Sequence, residues 1–243
     1  MSAARALTAA PHAGTRVSVS LSPGQPVAVP RGATAVVIDV LRATTTLTVA
    51  RLHGAARVVP AASPEQARAL AMRHPGALLC GERDGRKIAG FDLGNSPFEY
   101  PFERVAGKML VFASTNGSVA MARAARARRV LLAAFVNAHA VVEALAGARD
   151  VVVLCAGKLG GFALEDAGCA GLIAAQLEAR GATLDDDGAR CARDLAPSDA
   201  DEVRTLVEGA SHARYLVAMG EEFARDVDYC AQLDTLDRVF GLA

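Results

Sequence analysis

The residues best equipped for chemistry sit in a few short stretches of the 243-residue chain. In the first, A-T-A-V-V-I-D-V-L-R-A-T-T-T over positions 33–46, Asp39 directly follows a β-branched apolar run, and Arg42, Thr44, Thr45 and Thr46 come next. The run suits a parallel strand buried on both faces. A carboxylate at its carboxyl end stands where open α/β sheets form their ligand crevices. Hydroxyls and free N–H groups at a helix start, with a guanidinium beside them, suit a phosphate or another oxyanion. Asp39 and Arg42 therefore read either as a metal ligand beside an anion clamp or as a helix cap beside its surface ion-pair partner. The stretch alone does not choose between the two.

A second stretch, G-E-R-D-G-R-K-I-A-G-F-D-L-G-N-S-P-F-E-Y over positions 81–100, is too long for a tight connection. Loops of about this length without regular structure are functional or disordered. Here Glu82, Asp92 and Glu99 suit a cation, while Arg83, Arg86 and Lys87 suit an anion. Glu82 and Arg83 are assigned catalytic roles beside Asp39 and Arg42; Arg86, Lys87, Asn95 and Ser96 are assigned to the substrate. A third stretch, S-T-N-G-S over 114–118, opens a helix after a strand, so Thr115, Asn116 and Gly117 form a turn that doubles as an oxyanion nest.

Glu165 and Asp166 begin another helix, where the macrodipole favours carboxylates whatever their function. Together with Asp39 they also form an oxygen donor set for an octahedral Mg²⁺ that keeps several waters. His53 and His139 lack partners at metal spacing and read as structural, and Asp185, Asp186 and Asp187 as solvated surface. Asp226 and Asp228 stand as further site candidates. The P-loop, the dinucleotide fingerprint and the serine elbow are all missing. Carboxylates, arginines and helix starts without a nucleotide loop fit metal-assisted hydrolysis of a small phosphate ester.

Strand and helix patterns alternate along the chain that carries these residues. Strands are expected over 16–21, 34–38, 57–59, 77–80, 108–113, 129–134 and 151–154, with helices between them and helical patterns throughout 198–230. That alternation predicts an α/β fold, a mostly parallel sheet wrapped by helices on both faces. Every chemical cluster then falls just after a strand, so parallel strands bring them to one sheet edge. Residues 16–243 are expected to form a single domain, with 1–15 as a frayed N-terminal tail. Equal numbers of basic and acidic residues, 26 of each, give no general attraction to nucleic acid or acidic membranes. Five scattered cysteines, no secretory h-region and no membrane-length apolar run point to a cytoplasmic protein with reduced thiols. The oligomeric state, a homo-oligomer included, is open.

The stretches V-V-I-D-V-L-R-A-T-T-T, G-E-R-D-G-R-K-I-A-G-F-D-L-G-N-S-P-F-E-Y, S-T-N-G-S, C-A-G, L-E-D and D-V-D-Y-C resemble the 2-phosphosulfolactate phosphatases. The resemblance runs from about residue 16 to the end. Ser114 and Ser118 replace a more usual threonine but keep the hydroxyl. The resemblance implies a three-layer α/β/α fold and Mg²⁺-dependent hydrolysis of 2-phospho-3-sulfolactate, in coenzyme M or sulfolactate metabolism. A phosphatase for another small phosphorylated hydroxy acid, or a non-catalytic binder of an anionic metabolite, are the alternatives. The nucleophile is open between metal-bound water and Asp39.

Overall fold

The structure, a computed structural model, describes residues 12–242. The expected frayed tail therefore falls mostly outside the described residues. Within its last part His12 and Thr15 are buried, the His12 N–H donating to Arg180 O at 2.9 Å and the Thr15 hydroxyl to Ala148 O at 2.7 Å.

The strands are β1 Arg16–Ser20, β2 Thr34–Ile38, β3 Arg57–Ala61, β4 Leu78–Arg83, β5 Arg86–Lys87, β6 Met109–Ala113, β7 Arg129–Ala133, β8 Asp150–Cys155, β9 Thr183–Leu184 and β10 Phe240–Gly241. The helices are α1 Ala43–Leu52, α2 Pro64–Arg73, α3 Phe102–Val105, α4 Gly117–Ala124, α5 Ala138–Ala144, α6 Leu164–Ala179, α7 Asp187–Asp194, α8 Ala200–Gly209, α9 Ser211–Val217 and α10 Glu221–Cys230.

The fold is α/β and mostly parallel, as expected, but its strands form two sheets. One has the order β10-β7-β2-β8-β1-β9, parallel except for β10; the other has the order β3-β6-β4-β5, parallel except for the β4–β5 hairpin. Period-2 alternation in β2 explains the layering. Val36 and Ile38 face one way, into a core shared with Val142 of α5, Ile173 and Leu177 of α6, and Val203 of α8. Ala35 and Val37 face the other way, against α1 and α4 and, beyond them, Val58, Leu110 and Phe112 of the second sheet. The six-stranded sheet is thus the centre of an α/β/α sandwich, and the second sheet packs on the far side of α1 and α4. Each fully buried Val, Ile or Leu of these layers contributes roughly 1.5–3 kcal/mol.

Local signals account for several element ends. Ser63 accepts the Gln66 N–H at the start of α2, with Pro64 in the first helical position. Asp186, expected on the solvated surface, caps α7 by accepting the Ala189 N–H at 2.7 Å and also accepts the Val19 N–H at 3.2 Å. In β4, Gly81 has φ +136°, and a Cβ built there would lie 1.8 Å from Ala113 O of β6. The two backbones carrying Glu82 and Ser114 approach this closely only because position 81 lacks a side chain. Gly81→Ala should cost about 2–4 kcal/mol in urea unfolding. Gly209→Ala, where a Cβ meets nothing within 4 Å, should change stability by less than about 1 kcal/mol.

Candidate active site

A cavity of about 200 Å³ opens at the carboxyl ends of strands from both sheets. It is lined by Asp39 after β2, Glu82 at the end of β4, Thr115 and Asn116 after β6, and Lys158 after β8. Arg42, Asn95, and His212 and Tyr215 of α9 complete most of the wall. Parallel β2 and β8, paired Ile38 to Cys155, bring Asp39 and the 156–161 loop to the same rim. The β6–β4 pairing does the same for Ser114 and Glu82 in the second sheet.

Asp39 is 5% exposed and serves the start of α1, as one of its two readings expects. Its Oδ1 accepts the Ala43 N–H at 3.2 Å, which caps α1, while Oδ2 faces Gly117 so closely that a Cβ there would sit 2.7 Å away. Burial pushes the Asp39 carboxyl up to about pKa 6; nearby His212 and the Ala43 N–H oppose the rise, and Glu82 and Glu165 reinforce it. No acceptor in the protein takes the N–H of Asn116 or Gly117 at the start of α4, among the described residues. Asp39 Oδ2 lies beside the first residue of α4.

The other carboxylates differ in what they leave free. Asp166 accepts the Val40 N–H at 2.8 Å and the Gly157 N–H at 2.9 Å, one on each oxygen. It is a strut between the loops after β2 and β8. Burial, then Glu165 and Asp39, hold its pKa well above the ordinary carboxylate value. Glu82 likewise accepts the Thr115 N–H at 2.7 Å and the Gly85 N–H at 2.8 Å, so it positions the rim of the second sheet. Glu165 is 1% exposed; Oε1 lies 3.1 Å from His212 Nδ1, and Oε2 has no partner. Asn95 Oδ1 and Thr115 Oγ1 are also buried and unpartnered.

The structure gives the other catalytic and substrate candidates different surroundings. The Thr44 hydroxyl bonds Asp39 O and Ala133 O, Thr45 bonds Val40 O, and Thr46 bonds Asn95 O, so all three turn away from the cavity. Buried hydroxyls at a helix start satisfy nearby carbonyls first. Arg42 lines the cavity but is committed: it forms a buried ion pair with Asp226, donates to Gly85 O at 2.5 Å and lies 5.1 Å from the Phe223 ring centroid. Arg83 lines no part of the cavity and makes only a 3.5 Å contact with Glu82 O. Arg86, Lys87 and Ser96 line an adjoining cleft of about 320 Å³ that shares Arg42, Gly85 and Asn95 with the first. Ser96 donates to Asp226 at 2.6 Å. Asp226, a candidate from the D-V-D-Y-C stretch, is thus the anchor of Arg42.

His212, Lys158 and Tyr215 were not singled out from the sequence. Lys158 lies in the glycine-rich stretch after β8, whose position was the available signal; His212 and Tyr215 sit in an ordinary amphipathic helix without a motif.

A small cavity walled by Asp39, Glu82, Thr115, Asn116 and Lys158 at the carboxyl ends of parallel strands suits a small polar ligand. The chain belongs to the 2-phosphosulfolactate phosphatase family: a family model described as 2-phosphosulpholactate phosphatase matches residues 22–243. Among its relatives, a protein of Deinococcus radiodurans is 46% identical over 204 residues, covering 83% of this chain and 84% of its own. One of Thermotoga petrophila is 40% identical over 223 residues, covering 92% and 93%. One of Synechococcus sp. strain JA-3-3Ab is 41% identical over 211 residues, covering 85% and 87%. Each is named a probable 2-phosphosulfolactate phosphatase.

Two stability effects follow. Asp226→Ala strands the Arg42 guanidinium in the interior and should cost about 3–5 kcal/mol in denaturant unfolding. Asp39 holds its proton more tightly folded than unfolded, so its contribution to stability is present below its unfolded value of 3.8 and is lost as pH rises through about 6. In chelator, Asp39→Asn should therefore be more stable than the native chain at neutral pH, by up to about 3 kcal/mol, with the gap closing near pH 4. Paired urea titrations across that range check it.

Proposed function

We propose that the protein hydrolyses 2-phospho-3-sulfolactate to 3-sulfolactate and inorganic phosphate with Mg²⁺ as cofactor, as a step of sulfolactate or coenzyme M metabolism. Family membership supports the substrate. The observation that carries the reaction type is the buried Asp39 carboxylate lying beside Gly117 at the start of α4, where the N–H groups of Asn116 and Gly117 have no acceptor among the described residues.

The donor chemistry fits a hard cation. Asp39 Oδ2 and the unpartnered Glu165 Oε2 are carboxylate oxygens, and Asn95 Oδ1 and Thr115 Oγ1 are neutral oxygens seeking a partner. Among the described residues no three His, Cys, Asp or Glu side chains form a ready-made metal cluster. Magnesium commonly needs only one or two carboxylates, with waters and substrate phosphate filling its shell. Asp39 and Glu165 are the residues that would hold it. When bound there it neutralises charge on the phosphoryl group.

The chain's own groups do the rest. The N–H groups of Asn116 and Gly117 receive equatorial phosphoryl oxygens, oriented by the α4 terminus before the substrate arrives. Glu82, gripping the Thr115 N–H, fixes that turn. Asp39 supplies the attacking group, either as the carboxylate that bonds to phosphorus or as the base that orients a water. In both routes the bond from phosphorus to the C2 oxygen breaks and sulfolactate leaves, its oxygen taking a proton from water. In the carboxylate route a second water then attacks phosphorus, releasing inorganic phosphate and restoring the Asp39 carboxylate.

The test is phosphate release from phosphosulfolactate, phospholactate and the phosphoglycerates, with Mg²⁺ and then with chelator. Turnover is expected to favour phosphosulfolactate and stop with chelator; equal turnover of all esters would reassign the substrate. Asp39→Asn should lower kcat by at least about a thousandfold. Borohydride quenching during turnover separates the two roles of Asp39: reduction of Asp39 to homoserine means that an aspartyl phosphate formed, and unreduced Asp39 under active turnover means that water attacked directly.

A further inference from the structure

The geometry points to Lys158 as the residue that selects the substrate, receiving the anionic group carried at the end remote from the phosphate. This rests on the proposed phosphatase reading and deepens it.

The case begins with what the other cations of the cavity are doing. Arg42 is bound to Asp226 and Gly85 O, and His212 meets Glu165. Among the described residues Lys158 is the cavity-lining cation with no carboxylate partner. Its ammonium lies 4.4 Å from the centroid of the Tyr215 ring, which also lines the cavity. A ring face holds an ammonium without neutralising it, so the charge stays available to a ligand. An unpaired lysine on open surface would have no such constraint.

The backbone beneath Lys158 is fixed from several directions. Its N–H donates to Gly161 O at 3.2 Å and its carbonyl accepts the Gly161 N–H at 2.9 Å. On one side the Gly157 N–H is held by Asp166; on the other, the Leu159 N–H donates to Asn116 Oδ1 at 2.9 Å. Asn116 therefore offers its N–H to the phosphoryl position while its side chain anchors the lysine loop. Gly157, at φ +66°, would place a Cβ 2.0 Å from Gly161 O, so the loop closes this tightly only with glycine there. Phosphoryl nest and ammonium are thus tied to each other at a set spacing, which is what discrimination between a one-ended and a two-ended anion requires. Tyr215 is braced too, its hydroxyl donating to Asp84 O at 3.2 Å.

The rival cations are Arg86 and Lys87 in the adjoining cleft. They are exposed, line no part of the first cavity, and Arg86 packs 5.7 Å from the Phe223 centroid.

The test is calorimetric binding of the reaction products, which needs no turnover: 3-sulfolactate, lactate and inorganic phosphate, titrated with Mg²⁺ into the native chain, Lys158→Met, Lys158→Arg and Lys87→Met, each shown folded by circular dichroism. Lys158→Met should weaken 3-sulfolactate about ten- to a hundredfold, the loss of one charge-assisted contact, and leave phosphate unchanged. Lys158→Arg should recover most of the loss, and Lys87→Met should match the native chain. If lactate weakens in parallel, the group received is the carboxylate; if only 3-sulfolactate does, it is the sulfonate. Native affinity for 3-sulfolactate in Lys158→Met, or loss in Lys87→Met instead, overturns the role of Lys158 alone. A native chain that neither binds 3-sulfolactate nor hydrolyses its phosphate ester overturns the phosphatase reading with it.

Discussion

Buried negative charge is the constraint on which this molecule is built. Asp39, Glu82, Glu165 and Asp166 are each no more than 6% exposed, and Asp39 and Asp166 feel the charge of their neighbours. Desolvated carboxylates crowded together hold their protons unless something stabilises the charged form. The arginines do not supply that stabilisation, because the one at hand, Arg42, is engaged by Asp226. Backbone N–H groups supply it instead, two to Glu82, two to Asp166 and one to Asp39. What is left uncompensated is concentrated on Asp39 Oδ2 and Glu165 Oε2, the two oxygens nearest to functional use.

The same bonds explain how two sheets present one rim. Asp166 joins the loops after β2 and β8 within the six-stranded sheet; Glu82 joins the β4–β5 hairpin to the turn after β6 within the other. Crossing between the sheets are the Thr46 hydroxyl on Asn95 O and the chain Ser96–Asp226–Arg42–Gly85 O. Thr46 therefore serves the alignment of the two halves of the cavity, while Thr44 and Thr45 tie the loop after β2 to its own sheet. A buried polar network of this kind fixes a unique arrangement only when its members are satisfied, and those threonine hydroxyls are.

How much of this was legible before the coordinates depends on the range of the interaction. β2, the placement of Asp39 after it, the Ser63 cap and the turn at Asn116–Gly117 follow from periodicity and local chemistry, and the structure has them where the sequence puts them. The division into two sheets was not legible, because an apolar strand pattern records that a strand is buried and says nothing of which strand lies beside it. Arg42 and Asp226 are separated by 184 positions, and no local pattern announces that a guanidinium next to a possible anion site is already spoken for. In α9, Ala213 and Leu216 are buried and mark its apolar face, while His212 and Tyr215 at the edge of that face read as ordinary amphipathic spacing. Only the contact with Glu165, 47 positions away, turns His212 into a site residue.

The balance of charge constrains how an anion enters. The whole chain is formally neutral, so no long-range field draws in an anionic ester. Close to the cavity the ester meets Asp39, Glu82 and Asp84 on the wall against the ammonium of Lys158, the one lining cation without a carboxylate partner among the described residues, with Arg42 neutralised by Asp226. An ester with several negative charges would be repelled by that wall unless a cation shares it. On the proposed reading, affinity for the cation and affinity for the ester are therefore coupled, and each must raise the other by the same factor. Selectivity then rests on a few donors held at fixed positions, the α4 N–H groups and whatever cation stands opposite them, because general attraction contributes so little.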